Sequence, residues 1–330
     1  QTAVERGEPG RRVVISRDQS FHGNTLGALS ISGNLGRRRV YDALLFRAEF
    51  IPPCFSYRRR RADESEEAYG LRAANELETR ILEVGPENVL AFVAETVVGA
   101  TTGAVTAAPG YFRRVREICD RYGVLLILDE VMSGMGRTGT LHACEQEGVS
   151  PDLLTLAKGL GGGYAPIGAV LVGTVVRDAI AGGSGLYQHG FTYMGHPLSA
   201  SVGLAVQKVI REEDLLANVR RRGDELMAAL RQRLGDHPHV GDIRGRGLLL
   251  AIELVTERAG KTPFEPALKI YEAVRRAALD VGLMVYAMPG TVDGVCGDHV
   301  LLAPPYTITA DHVAEIANGL AAAVKTATGV

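Results

Sequence analysis

Two polar residues follow short apolar runs directly and are of types that could carry covalent and acid–base chemistry. Residues 124–128 lead into Asp129, and residues 153–157 lead into Lys158, which is followed by a run of glycines. In open α/β sheets, ligands bind beyond the carboxyl ends of the strands, so both side chains are expected in a site. Desolvation between an apolar strand and a glycine turn would lower the pKa of Lys158, as an imine-forming amine requires.

Asp129 and Lys158 together meet the needs of one cofactor, pyridoxal 5′-phosphate (PLP). A lysine holds the aldehyde of PLP as an imine, and a carboxylate keeps the pyridine nitrogen protonated so that the ring accepts electrons. A purely structural strand-end carboxylate remains the alternative for Asp129 taken alone. The glycines after Lys158 contain a loose G-x-G pattern, but Pro166 interrupts the segment where a dinucleotide-binding helix would begin, so no such site is predicted.

The segments around these residues predict how they are positioned. Short runs rich in Val, Ile and Leu indicate strands buried on both faces, at residues 12–16, 89–94, 124–128, 153–157 and 167–172. Helical spacing over residues 66–82 and 111–122 alternates with these runs. The alternation predicts an α/β fold with a mostly parallel sheet covered by helices.

The pattern changes in the last third of the chain. A long helical pattern over residues 196–234 stops at Gly235 and His237-Pro238. Beyond it, strands are predicted at 240–255, 282–287 and 299–306, with helices at 267–281 and 311–326. We therefore predict a large domain over residues 1–215 and a smaller C-terminal α+β domain over residues 216–330.

Composition excludes several kinds of partner. The 330 residues carry a formal net charge of -2, and the arginines at 58–61 are followed by acidic residues, so no nucleic-acid partner is expected. Four scattered cysteines without a C-x-x-C pair argue against a disulfide framework or a metal site and favour a reducing, cytoplasmic compartment. No apolar stretch is long enough for a membrane span, and no signal peptide is evident.

Further motifs surround the two polar residues, in a fixed order along the chain. They are Phe21-His22-Gly23, Glu95 after a strand, DEVMSGMGRTG at 129–139, LAKGLGGG at 156–163, GFTY at 190–193 before His196-Pro197, and HVLLAPP at 299–305. In this order they resemble the class III aminotransferases, which are PLP-dependent transferases of fold type I. The resemblance covers nearly the whole chain.

The resemblance implies roles for individual residues. Phe21 would stack on the cofactor ring, with His22 and Gly23 shaping that side, and Val131 would pack on the opposite face. Thr192 would reach the phosphate of the cofactor in a neighbouring subunit, which implies a homodimer with two shared sites. Without the resemblance, Phe21 would be interpreted as a core residue and Thr192 as a turn residue.

Glu95 would be the substrate-side carboxylate of the family, which often pairs with a mobile arginine. From the residues alone it is a strand-end carboxylate. Many relatives place an arginine before the position of His299 to bind a substrate α-carboxylate, but this chain has none there. Arg244 and Arg246 are candidate substitutes, with a structural role for both as the alternative.

Other departures concern the cofactor side of the predicted site. Phe21 stands where Tyr is frequent, and Met132 stands where many members carry a Gln that hydrogen-bonds the cofactor. The chain begins without Met and reaches its first strand almost at once, so the glycine-serine phosphate loop of the family's N-terminal part is not found in it. That loop normally supplies backbone donors to the phosphate.

The predicted activity is PLP-dependent transamination between an amine or ω-amino donor and a keto-acid or aldehyde acceptor. Lys158 would bind the cofactor and move the proton, and ping-pong kinetics would follow. An α-carboxylate buried without a partner is costly, and an unpaired Glu95 would repel it, so an amine donor is preferred. The alternatives are a fold-related aminomutase, epimerase or decarboxylase, or a non-catalytic truncated homologue that acts as a binding partner.

Overall fold

Two β-sheets organise the chain, and a computed structural model describes all of its residues, 1–330. The first sheet has six strands in the order β2-β1-β3-β4-β5-β6, and every neighbouring pair is parallel except β5 and β6. Its strands are β1 (Val13–Arg17), β2 (Glu49–Ile51), β3 (Val89–Glu95), β4 (Leu125–Asp129), β5 (Leu153–Leu156) and β6 (Ala169–Val172). The carboxyl ends of the five parallel strands therefore share one edge of the sheet.

Nine helices accompany this sheet. They are α1 (Thr2–Glu5), α2 (Leu26–Ser30), α3 (Leu35–Arg38), α4 (Ser56–Arg59), α5 (Glu66–Val84), α6 (Tyr111–Tyr122), α7 (Cys144–Glu147), α8 (Thr174–Gly182) and α9 (Pro197–Glu212). Helix α5 begins where the Ser65 hydroxyl accepts the Ala68 N–H, and α6 ends at Gly123, whose left-handed backbone suits glycine. The apolar faces of α5 and α6 pack on β1, β3 and β4 to form the first hydrophobic core.

The second sheet is antiparallel and lies in the last third of the chain. Its strands, in the order β7-β8-β10-β9, are β7 (Val240–Arg246), β8 (Leu249–Leu254), β9 (Tyr286–Pro289) and β10 (Asp298–Leu302). Helices α10 (Leu215–Leu234), α11 (Ile270–Asp280) and α12 (Ala310–Thr328) cover it. These elements form a second core that shares no buried residue with the first. The domain boundary after residue 215 stays a prediction, close to the break between α9 and α10.

Strand β6 differs from the other strands of the first sheet. It lies at the end of the strand order and runs antiparallel to β5. Its apolar side chains Val170, Leu171 and Val172 are all about half exposed or more, at 56%, 45% and 52%. In the single chain, both faces of β6 are therefore partly uncovered, and one of its edges has no neighbouring strand.

The sequence predicted most of these elements but not all of their limits. The mostly parallel sheet is confirmed, and so are helices α5 and α6. The continuous helix over 196–234 is wrong, because the chain breaks at Asp214, which has a left-handed φ of 46°. The single strand over 240–255 is also wrong, because Gly247, with a φ of 56°, turns it into the hairpin of β7 and β8. Strand β2 was missed, since three residues are too few to show a pattern.

None of the helices combines the length and apolarity that a bilayer crossing requires.

Candidate active site

The register of the first sheet places three ionisable residues side by side. Glu95 at the end of β3 is directly opposite Asp129 at the end of β4. Asp129 is in turn opposite Thr155 of β5, and Lys158 follows Thr155 by three residues. The parallel pairing alone thus brings the two predicted catalytic residues and Glu95 to the same edge.

The Asp129 carboxylate is buried and held by two donors. Its Oδ1 accepts the Val131 N–H at 2.9 Å, and its Oδ2 lies 2.8 Å from Nδ1 of His22. Because a carboxylate can only accept, His22 Nδ1 carries the proton of this bond, and Nε2 lies 3.2 Å from the Ser16 hydroxyl. The His22 N–H also donates to Ser32 at 2.8 Å. His22 therefore orients Asp129, and its imidazole is oriented by Ser16.

Lys158 stands where β5 turns into the glycine-rich segment. Its φ of 41° lies in the left-handed region, where a residue other than glycine is strained, and such strain is concentrated at functional sites. Desolvation lowers the pKa of Lys158, although the Asp129 and Glu95 carboxylates oppose that shift. The side chain nevertheless remains accessible to solvent. An accessible amine with a lowered pKa is suited to react with an aldehyde.

Glu95 is buried, and both of its carboxylate oxygens are occupied. Its Oε1 accepts the Phe21 N–H at 3.1 Å, and its Oε2 lies 3.3 Å from Nη2 of Arg17. The same Nη2 donates to the Glu95 carbonyl at 2.6 Å. The condition of an unpaired Glu95 is therefore not met in this chain, because Arg17 pairs with it from the interior. Sequence reasoning missed Arg17, and its one signal was a cation as the last residue of an apolar strand.

Phe21, Gly23 and Val131 border the same edge. Phe21 and Val131 are half-buried, and the Arg37 guanidinium lies 4.8 Å from the centroid of the Phe21 ring. Gly23 has a φ of 135°, and a Cβ there would lie 3.1 Å from the Ala28 side chain. The resemblance implies that these three residues lie near the cofactor, and their contacts with its ring stay predictions.

Met132 points away from this group into a small apolar cluster. A Cβ on Gly99 would lie 2.4 Å from the Met132 sulfur, so a larger residue there would require the Met132 side chain to move. Met132 packs there with Val97 and Ala104 of the segment that follows β3, and with residues of the second sheet, namely Leu249, Ala251 and Leu301. Its thioether therefore fills space between the segment after β3 and the second sheet.

The two arginines considered as carboxylate ligands are engaged in structural contacts. Buried Arg244 donates to Glu253 at 2.6 Å, to Asp242 at 2.8 Å and to the Gly103 carbonyl at 2.6 Å. Arg246 pairs with Glu147 at 2.8 Å. Both arginines therefore have a structural role in this chain, which was the alternative to binding a substrate carboxylate.

His299 of the C-terminal motif is fully buried. Desolvation, with a further effect of the nearby Arg244 charge, lowers the pKa of His299 to about 3. Its Nδ1 lies 2.6 Å from the Thr291 hydroxyl, and its ring packs against Gly103. His299 is thus neutral near neutral pH and joins the second sheet to the loop that follows Glu95.

Thr192 is not brought to the other site residues within one chain. It is exposed, and no hydrogen bond links it to another residue. Its neighbours form an exposed apolar surface, which we call the 186–194 surface: Leu186, Tyr187, Phe191, Tyr193 and Met194.

No group of three or more His, Cys, Asp or Glu side chains is placed to hold a metal ion.

Comparisons with known proteins give a consistent result. The profile of the family described as aminotransferase class-III matches residues 1–324. An aminotransferase of Gibberella zeae is 45% identical over 325 residues, which are 98% of this chain and 64% of that protein. An uncharacterized aminotransferase of Schizosaccharomyces pombe is 46% identical over 95% of this chain and 69% of its own length. The chain thus spans about two thirds of the length of these relatives.

Solved structures show the same likeness in three dimensions. The omega transaminase of Pseudomonas jessenii in complex with PMP superposes with a TM-score of 0.92 at 34% identity. The match covers 99% of this chain and 71% of that one. The arrangement of the two sheets is therefore that of a transaminase of fold type I.

Proposed function

The chain belongs to the class III aminotransferases, and on that premise we propose that it transfers amino groups with PLP as its cofactor. The observation that supports this most directly is the pair of Asp129 and Lys158 at the ends of adjacent parallel strands. Asp129 is buried and fixed by two donors, and Lys158 is an accessible amine with a lowered pKa. The Asp129 carboxylate is suited to pair with a protonated ring nitrogen, and the Lys158 amine is suited to react with an aldehyde.

The residues present fit this cofactor, and each has a definite task. When bound, PLP supplies an electrophilic carbon and an electron-accepting ring. Lys158 Nζ would hold the cofactor covalently and, once free, would move a proton at the substrate carbon. Asp129 would keep a proton on the ring nitrogen, and His22 holds Asp129 in place for that task. Phe21 and Val131 would lie against the two faces of the ring.

The visible absorption of the purified chain tests this proposal. We expect a visible absorption band on addition of PLP, and borohydride should then attach the cofactor to a single peptide that contains Lys158. Mixing this form with an amine should remove the band, and a keto acid should restore it. A chain that stays colourless with excess PLP would contradict the proposal and favour a non-catalytic binding protein. Racemised, rearranged or decarboxylated products would indicate one of the fold-related reactions.

We predict that the preferred donor is an amine or a distal amino group rather than an α-amino acid. Arg244 and Arg246 are bound to other groups, so neither is free to hold an α-carboxylate, and Arg17 is occupied by Glu95. Burial of a carboxylate without a partner is unfavourable. Single-turnover rates of the PLP form with a panel of ω-amines and α-amino acids measure this preference. Uniformly faster reaction of the α-amino acids would show the prediction to be wrong.

We also propose that the chain forms a homodimer with shared sites and works in the cytoplasm. The 186–194 surface supports the dimer, since contiguous exposed apolar groups mark association sites. Four free cysteines, three of them buried, are in keeping with a reducing compartment.

For the dimer, light scattering should give twice the mass of one chain. Phe191→Glu should lower that mass, because it places a charge in the apolar surface. Thr192→Ala should weaken PLP binding about tenfold, because one hydrogen bond to a charged phosphate would be lost. The exposed Thr79→Ala serves as the control variant. A monomer that binds PLP tightly would contradict the shared site.

A further inference from the structure

Arg17 is a cation enclosed in the protein directly beneath the proposed site. It is the last residue of β1, and its side chain is 2% exposed. Its only salt bridge is with Glu95, at 3.3 Å. A buried guanidinium without an anionic partner would be strongly unfavourable, so the two charges depend on each other.

The other groups around Arg17 do not carry a negative charge at neutral pH. They are the Tyr111 phenol and the Cys54 thiol, both buried in the first core. Desolvation raises the pKa of Cys54 to about 11 and raises that of Tyr111 as well. Glu95 is therefore the only anion that balances Arg17 in this part of the core.

The pairing with Arg17 also reduces the negative charge that Glu95 presents to the site. One oxygen is held by the Phe21 N–H and the other by Arg17, so the carboxylate is fixed in position and its charge is balanced from the interior. An unbalanced carboxylate here would repel any substrate carboxylate that approached the same edge of the sheet. Because Arg17 balances its charge, the Glu95 carboxylate repels a substrate carboxylate far less.

We propose that Arg17 determines specificity in this chain: by neutralising Glu95 from inside the core, it allows acceptors that carry a carboxylate to enter the site without an arginine on the substrate side. Arg17 touches neither substrate nor cofactor and acts through Glu95, so it is a positioning residue. The inference rests on the proposed transamination. It also means that carboxylate-bearing acceptors are tolerated but not tightly held.

Matched acceptors and a double-mutant cycle test this role in the full chain loaded with PLP. Pyruvate is the acceptor with a carboxylate, and propanal is the uncharged one. In Arg17→Met the KM for pyruvate should rise about tenfold or more, as expected for one unscreened charge several ångströms away, while the KM for propanal changes by less than about threefold. Glu95→Gln should lower the KM for pyruvate, and Arg17→Met/Glu95→Gln should restore the wild-type ratio.

A control variant and a binding measurement separate this role from general damage to the fold. Arg116→Met removes a cation that pairs with Asp152 at 2.9 Å, at the amino end of β5 and thus opposite the site, so the pyruvate-to-propanal ratio should not change. Dissociation constants of propionate and propionamide, followed by the absorption of the bound cofactor, should show the same selectivity without turnover. If Arg17→Met does not fold, the double variant, which leaves neither charge unpaired in the core, still tests the charge balance. It should keep the wild-type propionate-to-propionamide ratio, and a shift of that ratio would count against the inference.

Equal effects of the variants on charged and uncharged ligands would overturn the inference. Failure of the wild-type chain to transfer an amino group would instead contradict the proposed function. The propionate-to-propionamide ratio would still report on Arg17 in that case, so the two failures can be told apart.

Discussion

Lys158→Ala is expected to abolish turnover, with a loss of roughly 10⁴-fold or more, the upper end of what one acid–base group contributes. The change removes both the amine that would hold the cofactor and the base that would move the proton. The fold should be kept, because the side chain is accessible and alanine meets the same strain at a φ of 41°. The measurements are amino transfer in steady state and the visible absorption of the PLP-loaded protein.

Small primary amines offer a second measurement on this variant. They can replace the missing lysine in solution, so methylamine should restore a part of the proton transfer in Lys158→Ala. Lys208→Ala is the control, because Lys208 is an exposed lysine of α9 whose only ionic contact is with Glu212 at 3.9 Å. Substantial activity of Lys158→Ala without added amine would remove Lys158 from its role.

Asp129→Asn has the second largest expected effect. A carboxylate beside a titrating group typically shifts its pKa by roughly 1–3 units, so loss of the charge should slow transfer by roughly 10- to 1000-fold. Asparagine keeps the acceptor for the Val131 N–H, and His22 can change its tautomer to accept from the new amide. The single-turnover rate of amino transfer from a donor amine should therefore fall in Asp129→Asn, although Lys158 should still bind PLP.

Two comparisons support the interpretation of that variant. Asp178→Asn removes an exposed carboxylate of α8 that pairs only with Arg177, and it should leave the rate unchanged. Asp129→Ala should be slower than Asp129→Asn, because it also leaves His22 Nδ1 without its partner. Near-normal single-turnover rates in Asp129→Asn would show that the carboxylate does not control the ring nitrogen.

The strand-end residues could be predicted from the sequence because local patterns determine them. An apolar run that ends in a polar residue identifies both the strand and the edge of the sheet where its side chain lies, as for Asp129 and Lys158. Parallel pairing then places such residues together: Glu95 is opposite Asp129, and Lys158 follows Thr155, the partner of Asp129.

Residues that act through distant partners could not be predicted in this way. Arg17 meets Glu95 across 78 positions, and Arg244 reaches Gly103 across 141. No periodicity encodes such contacts, because they depend on how the sheets pack. For this reason the sequence left two roles open for Arg244, as a carboxylate ligand or as a structural residue. The role proposed for Thr192 could not be tested within one chain, since its proposed ligand would belong to a neighbouring subunit.

The uncovered strand β6 has a consequence for handling the protein. No charged residue occurs between Lys158 and Arg177, and the exposed Val170, Leu171 and Val172 lie in the middle of that stretch. A β-branched edge strand without charges or proline is a template for pairing with another chain of the same kind. Aggregation during expression or refolding should therefore begin at this edge, and it should increase with concentration until another surface covers the strand.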